Sequence, residues 1–291
     1  MSASTGPIDT ATGRRLKASA RIATNGHQRF RDSSTALTFG GSVGPGHLTP
    51  PTDGLTLHAV GNRQPPVQQA PPAQKLRLRY AKRGPARFTS HRDFGRALER
   101  ALRRAEIPMA YSSGFSPHPR ISYANAAPTS AASEAEYVEL GLSEVCEPTK
   151  VQAALNEVLP DGFVVLDVAE ARREALGDLL QASEWILRLD GAEPGVLEGA
   201  VATLLSQNEL IVERMTKGGM RAFDVRPAVL ELTVTADDTV FLRSLHQAPL
   251  VRPDDVLSAL RQLDGRVPVR ALLTRLVQGP LADGAIGDPL R

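Results

Sequence analysis

Arg92, Arg96, Arg100 and Arg103 recur at helical spacing in the stretch HRDFGRALERALRR, with Arg104 at the edge of the same face. Residues three and four apart on a helix are neighbours, so these guanidinium groups repel one another unless an anion or a carboxylate compensates. Only Glu99 is close on that side. A guanidinium donates from a planar fork that matches phosphate, which makes the row a candidate phosphate-binding face. Arg77, Arg79, Lys82, Arg83, Arg87 and Arg120 flank it. Further on, Lys217, Arg221 and Arg226 surround a Gly-Gly turn whose backbone amides also suit phosphate. The nucleic-acid-binding candidates are Arg83, Arg87, Arg92, Arg96, Arg100, Arg103, Arg120, Lys217 and Arg221. The competing reading is a solvated helix face, partly paired with a neighbouring acidic segment. Residues 75–120 hold twelve Lys/Arg against three Asp/Glu, whereas residues 121–182 hold three against eleven. A basic block of this kind points to a polyanion partner, unless the two blocks neutralise each other in the fold.

Two histidines are the candidates for acid–base chemistry. His91 opens the arginine-rich helix, and His118 sits in YSSGFSPHPR, a loop stiffened by Pro117 and Pro119 with Gly114 allowing a tight turn. As a pair they could act as acid and base. Two histidines with no third ligand do not make a metal site, so no metal is expected. Glu134, Glu136 and Glu139 read as the exposed side of a strand and its entry, and Asp224 and Arg226 as a pair on one face of a strand. The chain has no P-loop, no GxGxxG and no serine-nucleophile elbow.

These residues need elements to hold them. Leu76, Leu78 and Tyr80 alternate with Lys75, Arg77 and Arg79, which predicts a half-buried strand. Ser90 precedes Asp93 by three residues, an N-cap with an acidic partner, and Phe94, Ala97, Leu98, Ala101, Leu102 and Ala105 form the apolar stripe of a helix over 91–105. Strands follow around 121–123 and 137–142, a helix from Pro148 to about Val158, and a strand over 162–168. That order, β-α-β-β-α-β, is the ferredoxin-like arrangement. Residues 185–277 run through a similar series. The expected fold is therefore α+β, with ferredoxin-like halves over 75–180 and 181–279. Ahead of them, residues 1–74 read as a disordered tail ending in a Pro-rich linker, and residues 280–291 as a loose C-terminal tail. A single larger α+β domain is the alternative.

Composition sets the outer bounds. Apolar residues make up 42% of the 291, enough for a core, but aromatics are only 4%, so that core must rest on Leu, Val and Ala. No apolar run approaches the ~20 residues of a membrane span. The lone Cys146 excludes an internal disulfide framework and a cysteine-ligated iron–sulfur cluster, and it fits the cytoplasm. The strand around Tyr137 lacks the paired aromatics of an RNA-recognition sheet, so RNA contacts would come from helix and loop.

Three stretches, RFTSHRD, GFSPHPRISYA and KGGMRAFDVRP, resemble the radical SAM-linked protein family, DUF2344, over roughly residues 75 to 280. The resemblance implies a B12-binding radical SAM enzyme as partner. The CxxxCxxC triad of such an enzyme is absent, so the resemblance implies a companion with no cofactor of its own, and it transfers no catalytic residues. The paired halves are also similar in outline to RNA-processing proteins built from ferredoxin-like units. The resulting expectation is a non-catalytic accessory subunit that binds RNA for modification. The alternatives are a metal-independent RNA endonuclease using His91 and His118, or a protein-interaction module.

Overall fold

The computed structural model describes residues 68–216 and 218–291. The expected N-terminal tail lies outside the described residues as far as residue 67, as does Lys217. From Gln69 the chain is docked: Gln69 N donates to Ser113 Oγ at 2.9 Å, and Ala73 N donates to Leu142 O at 2.8 Å.

The first half consists of β1 (Gln74–Lys82), α1 (His91–Arg104), β2 (Ile121–Ala124), β3 (Ala132–Leu142), α2 (Pro148–Val158) and β4 (Phe163–Glu170). A short helix α3 (Leu176–Leu179) leads into the second half. That half runs β5 (Ala182–Arg188), α4 (Val196–Ser206), β6 (Ile211–Thr216), β7 (Gly219–Asp224), β8 (Val229–Ala236), β9 (Thr239–Leu245), α5 (Pro253–Leu263) and β10 (Leu272–Gly279). In the first half the strands lie in the order β4-β1-β3-β2, all antiparallel. In the second the order β10-β5-β9-β8 repeats it, with β6–β7 set apart as a separate hairpin.

The two halves are not separate bodies of sheet. β10 pairs in parallel with the start of β3 through Thr274↔Ala132 and Arg275↔Ser133, so one eight-stranded sheet crosses the molecule. β3 is long enough to share one edge between two partners: β2 covers residues 137–140, and β10 covers 132–133.

Alternation along the strands divides the core. Leu76, Leu78 and Tyr80 of β1 and Val138, Leu140 and Leu142 of β3 meet Phe94, Leu98 and Leu102 of α1 and Val151 and Leu155 of α2. The second half has its own cluster, in which Leu197, Val201 and Leu204 of α4 and Val256 and Leu260 of α5 cover Leu187, Leu232 and Leu242. The other face of the first half is covered too. Ala135 and Tyr137 of β3 pack with Leu176, Leu180 and Leu290.

Three expectations are corrected, the first two by that second covering. Residues 280–291 do not trail loosely: β11 (Leu281–Ala282) and β12 (Ala285–Ile286) form a small hairpin, and Leu290 is buried against β3 and α3. Arg77 does not lie on an open strand face: it is 1% exposed, because the chain at Arg172–Glu174 crosses over it and offers carbonyls to its guanidinium. Glu136 is likewise 2% exposed rather than solvated.

Candidate functional site

α1 forms where its caps and stripe demand. Asp93 N donates to Ser90 Oγ at 3.2 Å, and the Ser90 hydroxyl donates to Asp93 Oδ2 at 2.7 Å. A cap of this kind is worth about 1 kcal/mol. Phe94, Ala97, Leu98, Ala101 and Leu102 are buried, which leaves Arg92, Arg96, Arg100, Arg103 and Arg104 in solvent. Arg96 has one loose ion pair, to Asp93 at 3.8 Å across exposed surface. Among the described residues, Arg92, Arg100, Arg103 and Arg104 have no ion pair. From Arg92 to Arg103 the row spans about 17 Å of helix.

Three of the remaining arginine candidates, Arg83, Arg87 and Arg120, are committed elsewhere. Arg83 holds Glu134 in a bidentate pair, with Nε and Nη2 donating to the two carboxylate oxygens at 2.7 and 2.5 Å. Arg87 ties the first half to the second, with Nε donating to Ser130 O at 2.7 Å and Nη2 to Leu273 O at 3.1 Å. Arg120 closes the following loop by donating from Nε to Tyr111 O at 3.0 Å. Arg221 is exposed on β7 with no ion pair among the described residues, and it lies on the separate hairpin. The basic and acidic blocks therefore do neutralise each other in part. Lys75 and Arg77 on β1 both hold Glu139 on β3, at 2.9 and 3.0 Å. Burial opposes ionisation of Glu139, but these two partners outweigh it and hold the carboxyl below its usual range.

The loop 111–120 is built as a closed turn. Ser112 N donates to His118 O at 2.8 Å, and His118 N donates to Ser112 Oγ at 3.0 Å. The turn leaves Tyr111 41% and Phe115 74% exposed. Tyr111, His118 and Arg103 line one cleft of about 250 Å³ at the C-terminal end of α1, beside Glu99 and Met109. His91 lies at the other end of the helix, edge-on to the Tyr123 ring at 4.6 Å. α1 is about 20 Å long, so the two histidines line no common cavity and do not make an acid–base pair. Tyr123 itself is pushed up to about 12 by burial, with Glu99 adding to the shift.

Sequence reasoning missed the seam between the halves. Arg275 on β10 is 2% exposed and pairs with Glu136 on β3 at 3.3 Å. It also donates to Asn125 O at 2.8 Å, and its guanidinium lies 4.7 Å over the Trp185 ring. Glu136 also accepts from Ala127 N at 3.0 Å. The nearby Lys82 is pushed down by burial and donates to Thr89 O and Pro128 O. No local signal joins residues 136 and 275, which meet only because β10 enters beside β3. Asp224 and Arg226, expected to pair, instead serve the backbone: Asp224 accepts from Leu210 N and Arg226 N, while Arg226 donates to Gln207 O and Val229 O.

Fold and site together define an α+β protein with one sheet spanning two similarly ordered halves and an exposed arginine helix at one end. The chain belongs to the family described as "Uncharacterized protein conserved in bacteria (DUF2344)", whose model matches residues 75–253. No curated protein matches it. Among solved structures it is similar to a chain of the "Crystal Structure of a Cbf5-Nop10-Gar1 Complex", at 10% identity and a TM-score of 0.37. That likeness covers 70% of this chain and 48% of the other, so this chain spans about half the length of that relative. At that TM-score it carries no argument. Among the described residues no helix is long and apolar enough to cross a membrane, and no cluster of His, Cys, Asp and Glu is placed to hold a metal.

Proposed function

We propose that the protein is a non-catalytic, RNA-binding accessory subunit that holds single-stranded RNA on α1 and the 111–120 loop. One juxtaposition carries the reading. Exposed arginines at three- and four-residue spacing, of which only Arg96 has even a loose ion pair among the described residues, end at Arg103 in a cleft shared with Tyr111 and His118, next to the projecting Phe115. Guanidinium groups for the backbone beside aromatic faces for the bases is the pattern that single-stranded sites use. Arg77 and Arg83 are taken up by ion pairs and Arg87 and Arg120 by backbone carbonyls, which leaves the α1 row as the densest set of exposed arginines among the described residues. The sheet itself offers no aromatic platform, in keeping with contacts from helix and loop. We read the two halves as ferredoxin-like units in tandem, a reading supported by their shared strand order and by the helices packed on each.

The partner in this proposal is a B12-binding radical SAM enzyme in the cytoplasm, and the role is to present RNA for modification. Support for it comes from the three sequence stretches that resemble the radical SAM-linked family, two of which, RFTSHRD and GFSPHPRISYA, lie at the entry of α1 and in its neighbouring loop.

A fluorescent single-stranded RNA titrated across salt tests the binding. Four phosphate contacts give a slope of log K against log salt of about −3. Affinity that does not change with salt, or no binding to any RNA, overturns the proposal. Affinity capture after nuclease treatment tests the partner: recovery of a cobalamin-dependent radical SAM enzyme is expected, and its absence removes that part.

A further inference from the structure

A cavity of about 340 Å³ lies at the seam, bounded by the loop after β2, the start of β5, the end of β9 and the first turn of α5. Its polar lining includes Asn125, Ser183, Ser244, His246, Arg252 and Arg275, and its apolar lining includes Trp185, Leu250 and Val251. No Asp or Glu lines it among the described residues. Asp255, in the same first turn of α5, is held by Arg214 and by Arg252 N. A second cavity of about 700 Å³ shares Asn125, His246 and Leu250 with the first, and brings Lys75, Arg172 and Arg173 to its lining against Glu139 and Glu174.

The polar groups at the shared wall are ordered by their bonds. His246 Nδ1 lies 2.6 Å from Leu180 O, so it carries the proton and donates. His246 Nε2 is then an acceptor, and it takes the Ser183 hydroxyl at 2.9 Å. Ser183 Oγ in turn accepts from Trp185 Nε1 at 2.7 Å. With a neutral imidazole the chain Trp185–Ser183–His246–Leu180 is satisfied, and Ser183 Oγ also lies 3.3 Å from Ser244 Oγ. Burial, with Arg275 nearby, pushes the His246 pKa down, while the Leu180 bond opposes that shift. At this wall Arg275 Nε is buried with no acceptor among the described residues, while the Asn125 amide donates to Gln278 Oε1 and lies 3.1 Å from His246 Nδ1. A native interior pairs nearly all of its buried polar atoms, so an unpartnered guanidinium nitrogen beside a cavity is a donor that an ordered water or a bound group would satisfy.

We infer that this cavity binds a nucleoside monophosphate, with Arg252 meeting the phosphate and Asn125 and Ser244 meeting the base edge. The volume is at the small end of ligand cavities, with room for one nucleotide and none for a strand. A lining with arginine and no carboxylate selects an anion, and the mixed donors and acceptors behind it suit the edge of a base. The choice of a nucleotide among small oxyanions rests on the RNA reading, but the cavity is separate from α1. The nucleotide comes from one of two sources: free solution, or a single nucleotide of bound RNA.

Trp185 is the only tryptophan in the chain and lines the cavity, so its fluorescence reports occupancy directly. The protein is titrated with each of the four common ribonucleoside monophosphates, with the corresponding nucleosides, and with a short single-stranded RNA. A saturable change with a monophosphate, at least tenfold weaker for its nucleoside and at least tenfold weaker in Arg252→Ala, supports the inference, with Arg252→Lys recovering part of the loss. A change with RNA alone, lost in Arg252→Ala, assigns the site to a nucleotide of the strand. No saturable change up to millimolar concentration with either ligand overturns it, as does a change that Arg252→Ala leaves untouched. Anisotropy of labelled RNA on the same samples separates the two readings. RNA binding with a silent Trp185 removes only the cavity proposal, and loss of RNA binding with a responsive Trp185 removes only the α1 reading.

Discussion

The arginines of α1 and those of the sheet share a side chain and little else. On α1 the guanidinium groups stand in solvent, and the apolar stripe on the opposite face holds the helix in place. On β1 and β10, Arg77 and Arg275 are enclosed, each with a glutamate on β3 and with backbone carbonyls, and each with one nitrogen unpartnered. The first set contributes little to stability and is free to meet an outside anion. The second set is tied to the fold, because an enclosed charge that loses its partner is costly. Charge counts cannot separate the two sets, since residues 75–120 hold the α1 row and the enclosed Arg77 alike. What separates them is whether a second layer of chain covers the face they occupy.

The largest effect expected from breaking this contrast is on stability. Glu136→Ala leaves Arg275 buried without its carboxylate and should cost about 3–5 kcal/mol. A urea midpoint will show it, while Arg100→Ala stays within about 0.5 kcal/mol of the parent protein. Equal effects from the two would erase the distinction. Next comes Phe115→Ala. Loss of one stacked base should weaken RNA by about 1–3 kcal/mol and leave the salt slope unchanged. A changed slope would mean that Phe115 acts by holding the loop rather than by stacking. The double change Arg96→Ala with Arg100→Ala should flatten the slope by about 1.4, two phosphates' worth, with no shift in urea midpoint.

The smallest effect concerns pH. His246 has its pKa lowered in the fold, so the unfolded chain takes up a proton first as pH falls. Stability is therefore full above the unfolded value of about 6.5 and declines as pH drops below it toward the folded value. Urea midpoints measured from pH 7.5 to 5.5 should fall more in the parent protein than in His246→Gln. A midpoint that rises on acidification, or an identical fall in both, contradicts the neutral Ser183–His246 bond.

How much of this was legible in the sequence follows from the range of the interactions. α1 and its Ser90 cap were legible because every contact that sets them lies within a few residues. So were β1, α2, β4 and the β8–β9 hairpin, whose alternation or stripe is local. The arginine face was legible for the same reason. Glu136 and Arg77 were misread because alternation tells which residues share a strand face but not what later covers it. Their covers come from Arg275, 139 residues away, and from the chain at 172–174. The C-terminal residues looked loose because their anchors are all distant in sequence: Leu290 fills a pocket between β3 and α3, Leu281 N donates to Gln181 Oε1, and Arg291 pairs with Asp167. The pairing of His91 with His118 failed on distance: both lie near α1 in sequence, but one opens the helix and the other packs at its far end.

The most direct measurement is where RNA touches the protein. Ultraviolet crosslinking of a bound single-stranded RNA, followed by peptide mapping, should place the adducts at Tyr111 and Phe115 and on peptides of α1, and Arg96→Ala with Arg100→Ala should remove them. Adducts confined to the β6–β7 hairpin around Met215 and Met220, or an unchanged map in the α1 variant, would contradict the assignment of RNA binding to the arginine helix.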